Sequence, residues 1–404
     1  MNPETNDKYY LEDEEEKDLH NDRINGISRV IAVIMSGVFC FLLFSVGILH
    51  YVMPDSEYSQ SENRVLASMP ELSFQSLKDG SFMSNFETYL TDQFPFRDYI
   101  ISAKTFTDRI VGKNEENGVY IGKDGYLFDT QTPYDKEKAT EITKAISAFC
   151  KKNGFSKNAV IIAPNSSYVY SDLMPSYLEM ESQENMLSEI NAKLKNNKIT
   201  TFNSCSILNK AKDSAQLYYR TDHHWTTRSA YKMFTALAKQ WKIDTSKQKY
   251  HFYTVGADFE GTLASKVGVH TYKDKVEICI PEKTKGTYTV EYESQQKKTA
   301  TLFDETKLKQ KNQYEVFLGG NFDKVIISVA TQSKSTLLII KDSYANCFIP
   351  MLTPYFNKIV VIDPRYLTDS LQSIIKENNF THVLFLYNMN TLLEDNSLVP
   401  CLES

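Results

Sequence analysis

The 404-residue sequence has no surplus of positive charge, no clustered cysteines and no internal repeat, and each absence removes a class of function. Its 45 Lys and Arg stand against 51 Asp and Glu, a net charge of -6 that leaves no basic footprint for nucleic acid. Cys40, Cys150, Cys205, Cys279, Cys347 and Cys401 are scattered without C-x-x-C spacing, which argues against zinc-ribbon and thioredoxin chemistry. Cys40 falls in an apolar run, so an odd number of cysteines remains elsewhere and at least one is unpaired within a monomer; they read as buried, inert thiols. Low complexity is confined to the run from Glu12 to Asp18, expected as a solvated, disordered tail.

Charge is also missing from Val30 to Leu49, a stretch long enough to cross a hydrocarbon core as a helix. It follows an acidic segment and runs into His50-Tyr51-Val52-Met53-Pro54 rather than a small-residue cleavage site, which favours an uncleaved anchor over a signal peptide. Arg23 and Arg29 precede it, whereas Asp55, Glu57 and Glu62 follow, so the amino terminus is expected in the cytoplasm. The expected organisation is an acidic cytoplasmic tail (1–29), a single-pass cell-membrane anchor (30–49), a linker (50–62) and an extracytoplasmic domain (63–404).

In that domain, short β-branched runs alternate with helical patterns, the signature of a parallel sheet flanked by helices. Strands are predicted at Ala159–Ile162, Thr200–Phe202, Leu337–Ile340, Ile359–Ile362 and His382–Leu386. Helices are predicted at about Lys136–Cys150, Glu181–Lys195, Thr226–Trp241, Tyr344–Phe356 and Leu367–Asn378. The spacing from Phe74 to Lys113 is helical with a break at Pro95, and Asn117 to Phe128 reads as a hairpin about Asp124-Gly125. From 251 to 329, alternating Tyr, Thr, Val and Lys, as in Lys273–Ile280 and Thr287–Tyr292, predict an antiparallel β insertion.

Two clusters carry chemistry. Thr221-Asp222-His223-His224-Trp225 precedes a helix; an Asp two residues before a His can fix its tautomer and stabilise the imidazolium formed when it takes a proton. The same residues could instead be a helix cap with incidental histidines, and a metal site is disfavoured because adjacent His side chains diverge in extended chain. Lys341-Asp342-Ser343-Tyr344-Ala345-Asn346 runs from a buried strand into the next predicted helix, where a nucleophile would be exposed and a helix amino terminus could hold an oxyanion. There too a cap explains Asp342 or Ser343 alone. Together, a strand-end Ser and a distant Asp-x-His supply every role of acyl transfer without cofactor or metal.

These motifs resemble the DHHW protein family and, more distantly, the alginate O-acetyltransferase group of the SGNH-hydrolase-like superfamily. Glu62-Asn63-Arg64, Asp92-Gln93-Phe94-Pro95-Phe96-Arg97, Gly122 to Phe128 and Ile362-Asp363-Pro364-Arg365-Tyr366 resemble it as well. The resemblance implies an SGNH-hydrolase-like α/β fold in which Asp222 orients His224, His224 is the general base and Ser343 holds the acetyl group. His223 stands at the family's variable position. Trp225 would pack under the loop or touch substrate, Arg365 would bind sugar or an oxyanion or form a surface ion pair, and Gly319-Gly320-Asn321 resembles an oxyanion block displaced from its usual place. Lys341-Asp342-Ser343 departs from the Gly-Asp-Ser of SGNH esterases. The implied activity is O-acetylation of exopolysaccharide or cell-wall glycan, with an integral membrane O-acyltransferase as acetyl donor. Acetylester hydrolysis by the same three residues, or a non-catalytic glycan-binding subunit, are the alternatives. Palmitoyl transfer is set aside because Trp225 stands where that chemistry needs Cys.

Overall fold

The computed structural model describes residues 3–59, 64–282 and 288–404, so Glu62, Asn63 and Thr287 of the predicted segments lie outside the described residues. Contacts divide the chain into two compact units: 1–59 with 64–99, and 60–63 with 100–404.

The first unit opens with a helix from Pro3 to Val52. Its part Ser28–Val52 has a mean hydropathy of 2.5 with no buried residues, and is by length and composition able to cross a membrane. The expected disordered tail is a correction: Glu12 to Asp18 lies within this helix, as its Glu and Lys are good helix formers and the apolar segment propagates the helix amino-terminally. The expected linker also holds structure, since Tyr58–Ser59 pairs antiparallel with Arg64–Val65. Helices then follow at Phe74–Lys78, Ser81–Asp92 and Arg97–Ile110, the last continuing into the second unit. They are broken before Arg97 where Pro95 and a left-handed Phe96 (φ 59°) turn the chain.

The second unit is built on an eight-stranded sheet. Its strands are β1 (Lys157–Ala163), β2 (Thr200–Thr201), β3 (Tyr288–Tyr292), β4 (Lys297–Thr299), β5 (Lys324–Val329), β6 (Thr336–Lys341), β7 (Lys358–Ile362) and β8 (His382–Asn388), in the order β4-β3-β5-β7-β6-β8-β1-β2. From β7 to β2 all neighbours are parallel. Across β4, β3, β5 and β7 they are antiparallel, so the sheet is mixed rather than parallel throughout. The antiparallel 251–329 insertion divides between two sheets. Tyr250–Phe259 and Asp274–Pro281 form their own ladder, while β3, β4 and β5 extend the main sheet.

The uniformly apolar central strands are buried on both faces. Ile161, Leu337, Ile339 and Val361 meet Met233, Phe234 and Leu237 of helix Thr227–Trp241. On the other face, Val160, Ile162, Leu338, Ile340 and Val360 meet helices Lys136–Asn153 and Gln183–Asn196. The predicted hairpin is present as Val119–Ile121 paired with Leu127–Asp129, and Asp124 takes the left-handed conformation (φ 53°) that its turn requires.

Candidate catalytic site

β6 ends at Lys341, and the next two residues leave the sheet at the carboxyl ends of its parallel strands, the edge where α/β sheets bind ligands. The buried Asp342 carboxylate fixes this exit. One oxygen accepts the Tyr344 N–H (2.9 Å) and the other accepts the Asn388 N–H at the end of β8 (2.7 Å). Burial raises its pKa. The helix expected from Tyr344 to Phe356 is a correction. Ser343–Ala345 makes one 3-10 turn and Ile349–Tyr355 a second 3-10 segment, with Pro350 near its start and Pro354 within it. Each proline removes an N–H donor that an α-helix needs. The N–H groups of Tyr344, Ala345 and Asn346 are engaged by Asp342 and Ser343, so no long helix points its dipole at Ser343.

The histidine cluster sits on a loop closed by a bridge between Tyr218 and Trp225. Asp274, buried and contributed by the insertion, accepts from the N–H groups of Arg220 (3.0 Å) and Thr221 (2.9 Å), the Thr221 hydroxyl (2.7 Å) and Gln216 Nε2 (2.8 Å). So held, Asp222 and His224 are buried, and His224 Nδ1 lies 2.5 Å from Asp222 Oδ1. His224 Nε2 lies 2.7 Å from Ser343 Oγ, 119 residues away in the chain. The structure thus brings the three predicted side chains into one hydrogen-bonded line.

Trp225 is completely buried and donates its indole N–H to the Tyr344 carbonyl (2.8 Å), so it fastens the histidine loop to the serine turn. Asn321 Oδ1 accepts from Lys341 Nζ (2.8 Å) and Asn346 Nδ2 (3.1 Å), which turns the Asn321 amide nitrogen away from both. Lys341 Nζ also meets the buried Asp363 (3.2 Å), and Asp363 holds Arg365 through Nε (2.9 Å) and a terminal nitrogen (2.7 Å). Arg365 therefore has a built anchor rather than a loose surface pair.

Three contacts from the insertion were not read from the sequence. Thr262 donates its N–H (2.9 Å) and hydroxyl (3.0 Å) to Asp222 Oδ2. Gly261 lies so close that a Cβ there would stand 2.2 Å from Asp222 Cβ. Tyr314 stacks on the His224 imidazole at 3.8 Å and 13°, and its hydroxyl donates to the Ser343 carbonyl (3.0 Å). Only the glycine left a signal, and an isolated Gly in a β-rich segment is a weak one.

The expected divergence of the two histidines is also corrected, since their rings lie 3.9 Å apart because the chain turns here instead of extending. His223 Nδ1 meets the Thr262 hydroxyl at 2.8 Å. That hydroxyl already donates to Asp222, so His223 carries its proton on Nδ1. Asp222, His223 and His224 offer ligand atoms within 4.8 Å of one another. Both ring nitrogens of His224 are engaged, by Asp222 and Ser343, so a cation here would have to break that line.

Burial would raise the Asp222 pKa, but the neighbouring His223 and His224 and the hydrogen bonds outweigh it and hold the carboxyl well below its usual range. Burial lowers the His224 pKa to about 4, helped by the charge of His223 and opposed by Asp222. At neutral pH the pair is therefore carboxylate and neutral imidazole, with Nε2 able to accept the Ser343 proton.

No curated protein matches the chain. Among solved structures, a DHHW family protein from Eubacterium siraeum aligns with a TM-score of 0.59 and 23% identity, covering 71% of this chain and 96% of that one. PatB1 of Bacillus cereus aligns at 0.57 and 18% identity, covering 68% of this chain and 97% of its own. The same protein with a sulfonyl adduct aligns at 0.56 and 19%, covering 70% and 97%. These likenesses establish the fold. Residues 119–318, which include Asp222, His224, Gly261 and Tyr314, match the family described as SGNH hydrolase-like domain, acetyltransferase AlgX. Residues 119–318 are thus similar to the SGNH hydrolase-like domain of the AlgX acetyltransferases, and the fold is shared with the DHHW protein and PatB1.

Proposed function

We propose that Asp222, His224 and Ser343 act as a catalytic triad for O-acetylation of an exopolysaccharide or cell-wall glycan, outside the membrane that Ser28–Val52 crosses. The observation that carries this reading is the unbroken line from Asp222 through His224 to Ser343 Oγ at the sheet's carboxyl edge. The acetyltransferase family of the domain supports it. Ser343 Oγ attacks the acetyl carbonyl while His224 Nε2 takes its proton, and Asp222 stabilises the imidazolium. His224 then returns the proton to the leaving group, and acetyl-Ser343 remains. A glycan hydroxyl, deprotonated by the same Nε2, attacks this ester and regenerates the serine. Arg365, anchored on Asp363, keeps further N–H groups for a sugar oxygen or the oxyanion, and Asn321 offers its amide nitrogen. Acetyl-CoA is absent outside the membrane, so an integral membrane O-acyltransferase supplies the acetyl group.

Turnover of p-nitrophenyl acetate by single and double variants tests this. Ser343→Ala, His224→Ala and Asp222→Asn should each fall by roughly 10³-fold or more, and the Ser343→Ala/His224→Ala double should be no worse than either single change. His223→Ala should keep most activity. A sulfonyl fluoride should add to Ser343 in the parent and not in Ser343→Ala. Acetylated oligosaccharide in the presence of an acceptor separates transfer from hydrolysis. Unchanged activity in Ser343→Ala would remove the covalent mechanism.

A further inference from the structure

The first unit exposes large apolar side chains where a soluble surface would not. Leu72, Phe74, Leu77, Met83, Phe96 and Tyr99 are each more than half exposed, with Phe74 at 82% and Tyr99 at 77%. Helix Phe74–Lys78 buries no residue. Helix Ser81–Asp92 is two-sided. Phe82, Phe86 and Tyr89 stack inward along one stripe, while Met83 and Leu90, seven residues apart and so on one face, point outward. So many large exposed apolar side chains in one short segment mark a contact with something apolar.

Where this helix is fastened says what that is. The His50 ring packs edge-on against Tyr89 at 5.4 Å, and the Tyr89 hydroxyl donates to Asp55 (3.1 Å). Gln93 bonds both backbone groups of Ser56 (3.0 Å each), and Asp92 accepts the Ala67 N–H (2.8 Å). The helix is therefore clamped to the last turn of the membrane-length segment and the residues just after it. Ser28–Val52 has 25 residues. At ~1.5 Å each it is about 37 Å long, somewhat more than the ~30 Å hydrocarbon core, so its last turn reaches headgroup level. Whatever is bolted to His50 and Asp55 sits at that level too.

We propose that Leu72 to Tyr99 forms a lipid-contacting surface, with Phe74, Leu77 and Met83 inserted at the boundary of headgroups and acyl chains of the leaflet from which the anchor emerges. This rests on reading Ser28–Val52 as a membrane span. Glu71, Asp79, Glu87 and Asp92 outnumber Lys78 among the charges of the first two short helices and their flanks. Apolar insertion, and not attraction to anionic lipid, is thus the driving force, and zwitterionic lipid suffices.

The test uses the full chain in phosphatidylcholine vesicles whose acyl chains carry bromine, a contact quencher of Trp fluorescence. The native Trp225 and Trp241 are buried and provide a constant background. Phe74→Trp and Met83→Trp should be quenched, more strongly by bromine near the headgroup end of the chain than near its tail. Phe39→Trp, in the middle of the span, should be quenched more strongly by bromine near the tail. The parent chain, whose Trp225 and Trp241 are both buried, should not be quenched. Quenching at Phe39→Trp with none at Phe74→Trp and Met83→Trp would overturn the surface while leaving the anchor standing, and would hand the patch to a protein partner. No quenching at Phe39→Trp would overturn the anchor and the surface with it.

Discussion

Gly261→Ala is the sharpest perturbation of the candidate site, because it adds one methyl group to a loop that is not itself part of the proposed chemistry. The added Cβ would stand 2.2 Å from Asp222 Cβ and 2.6 Å from its Oδ2, so the two loops must part by more than an ångström to reach ordinary contact. Neither side yields freely. The Gly261 N–H donates to the Thr221 hydroxyl (3.0 Å), the Thr221 carbonyl accepts the Ala264 N–H (3.0 Å), and Thr221 is held by Asp274. Gly261 has an ordinary φ of -82°, so the penalty is steric and not conformational. A misplacement of ~1 Å costs about 10²-fold in rate, and complete loss of the orienting carboxylate about 10⁴-fold. kcat/KM on p-nitrophenyl acetate should fall between these limits, while overpacking lowers stability by about 1–3 kcal/mol in urea unfolding. Gly154→Ala is the control. It ends helix Lys136–Asn153 in a left-handed conformation with open space around it, so it should lose about 1 kcal/mol of stability and no activity. Folded Gly261→Ala with activity within a few-fold of the parent would refute the claim that this contact sets the position of Asp222.

The depressed pKa of His224 gives a pH prediction. Its proton-accepting form persists down to about pH 4, so kcat/KM should stay level through pH 5 and fall as pH passes through about 4; an acid limb near the ordinary histidine value would show that the imidazole is not desolvated. Because the folded pKa lies below the unfolded one, the stability linked to neutral His224 is complete above about pH 6.5 and is lost as pH falls towards 4, which urea midpoints across that window measure. Tyr314→Phe removes the hydrogen bond to the Ser343 carbonyl but keeps the ring on His224. It should lower kcat about tenfold, matching ~1.4 kcal/mol, and leave KM and the acid limb in place. Tyr314→Leu, by opening the imidazole face to water, should also move the acid limb upward; identical pH profiles for the two variants would show that the ring does not shield His224.

Local patterns made part of this legible. Asp222 and His224 are two residues apart, Ser343 follows closely on the apolar run Leu337–Ile340, and each signal fits in a ten-residue window of its own. The central strands could be read because burial on both faces writes a continuous apolar string. Contacts made across the insertion could not be read in that way. Asp274, Thr262 and Tyr314 reach the site from stretches whose sequence records only alternation, and alternation does not say which sheet a strand joins. That is also why the antiparallel insertion could be expected without showing that β3, β4 and β5 join the main sheet. The helix expected after Ser343 is different: Pro350 and Pro354 stand in the sequence itself, and they break the helix that apolar spacing alone predicts.

One feature of the sheet bears on timing. β8 lies between β6 and β1, yet it is the last strand made, and its end at Asn388 grips Asp342 beside Ser343. A chain emerging amino terminus first carries its histidine loop long before the central strand that seats the serine exists. Pairing of β1 with β8 joins Lys157 to His382, among the most distant contacts in the sheet, and distant pairings close late. A serine-directed reagent that reacts through the proposed triad should therefore give no Ser343 signal until the final strand pairs in the middle of the sheet, which makes that labelling a clock for completed folding.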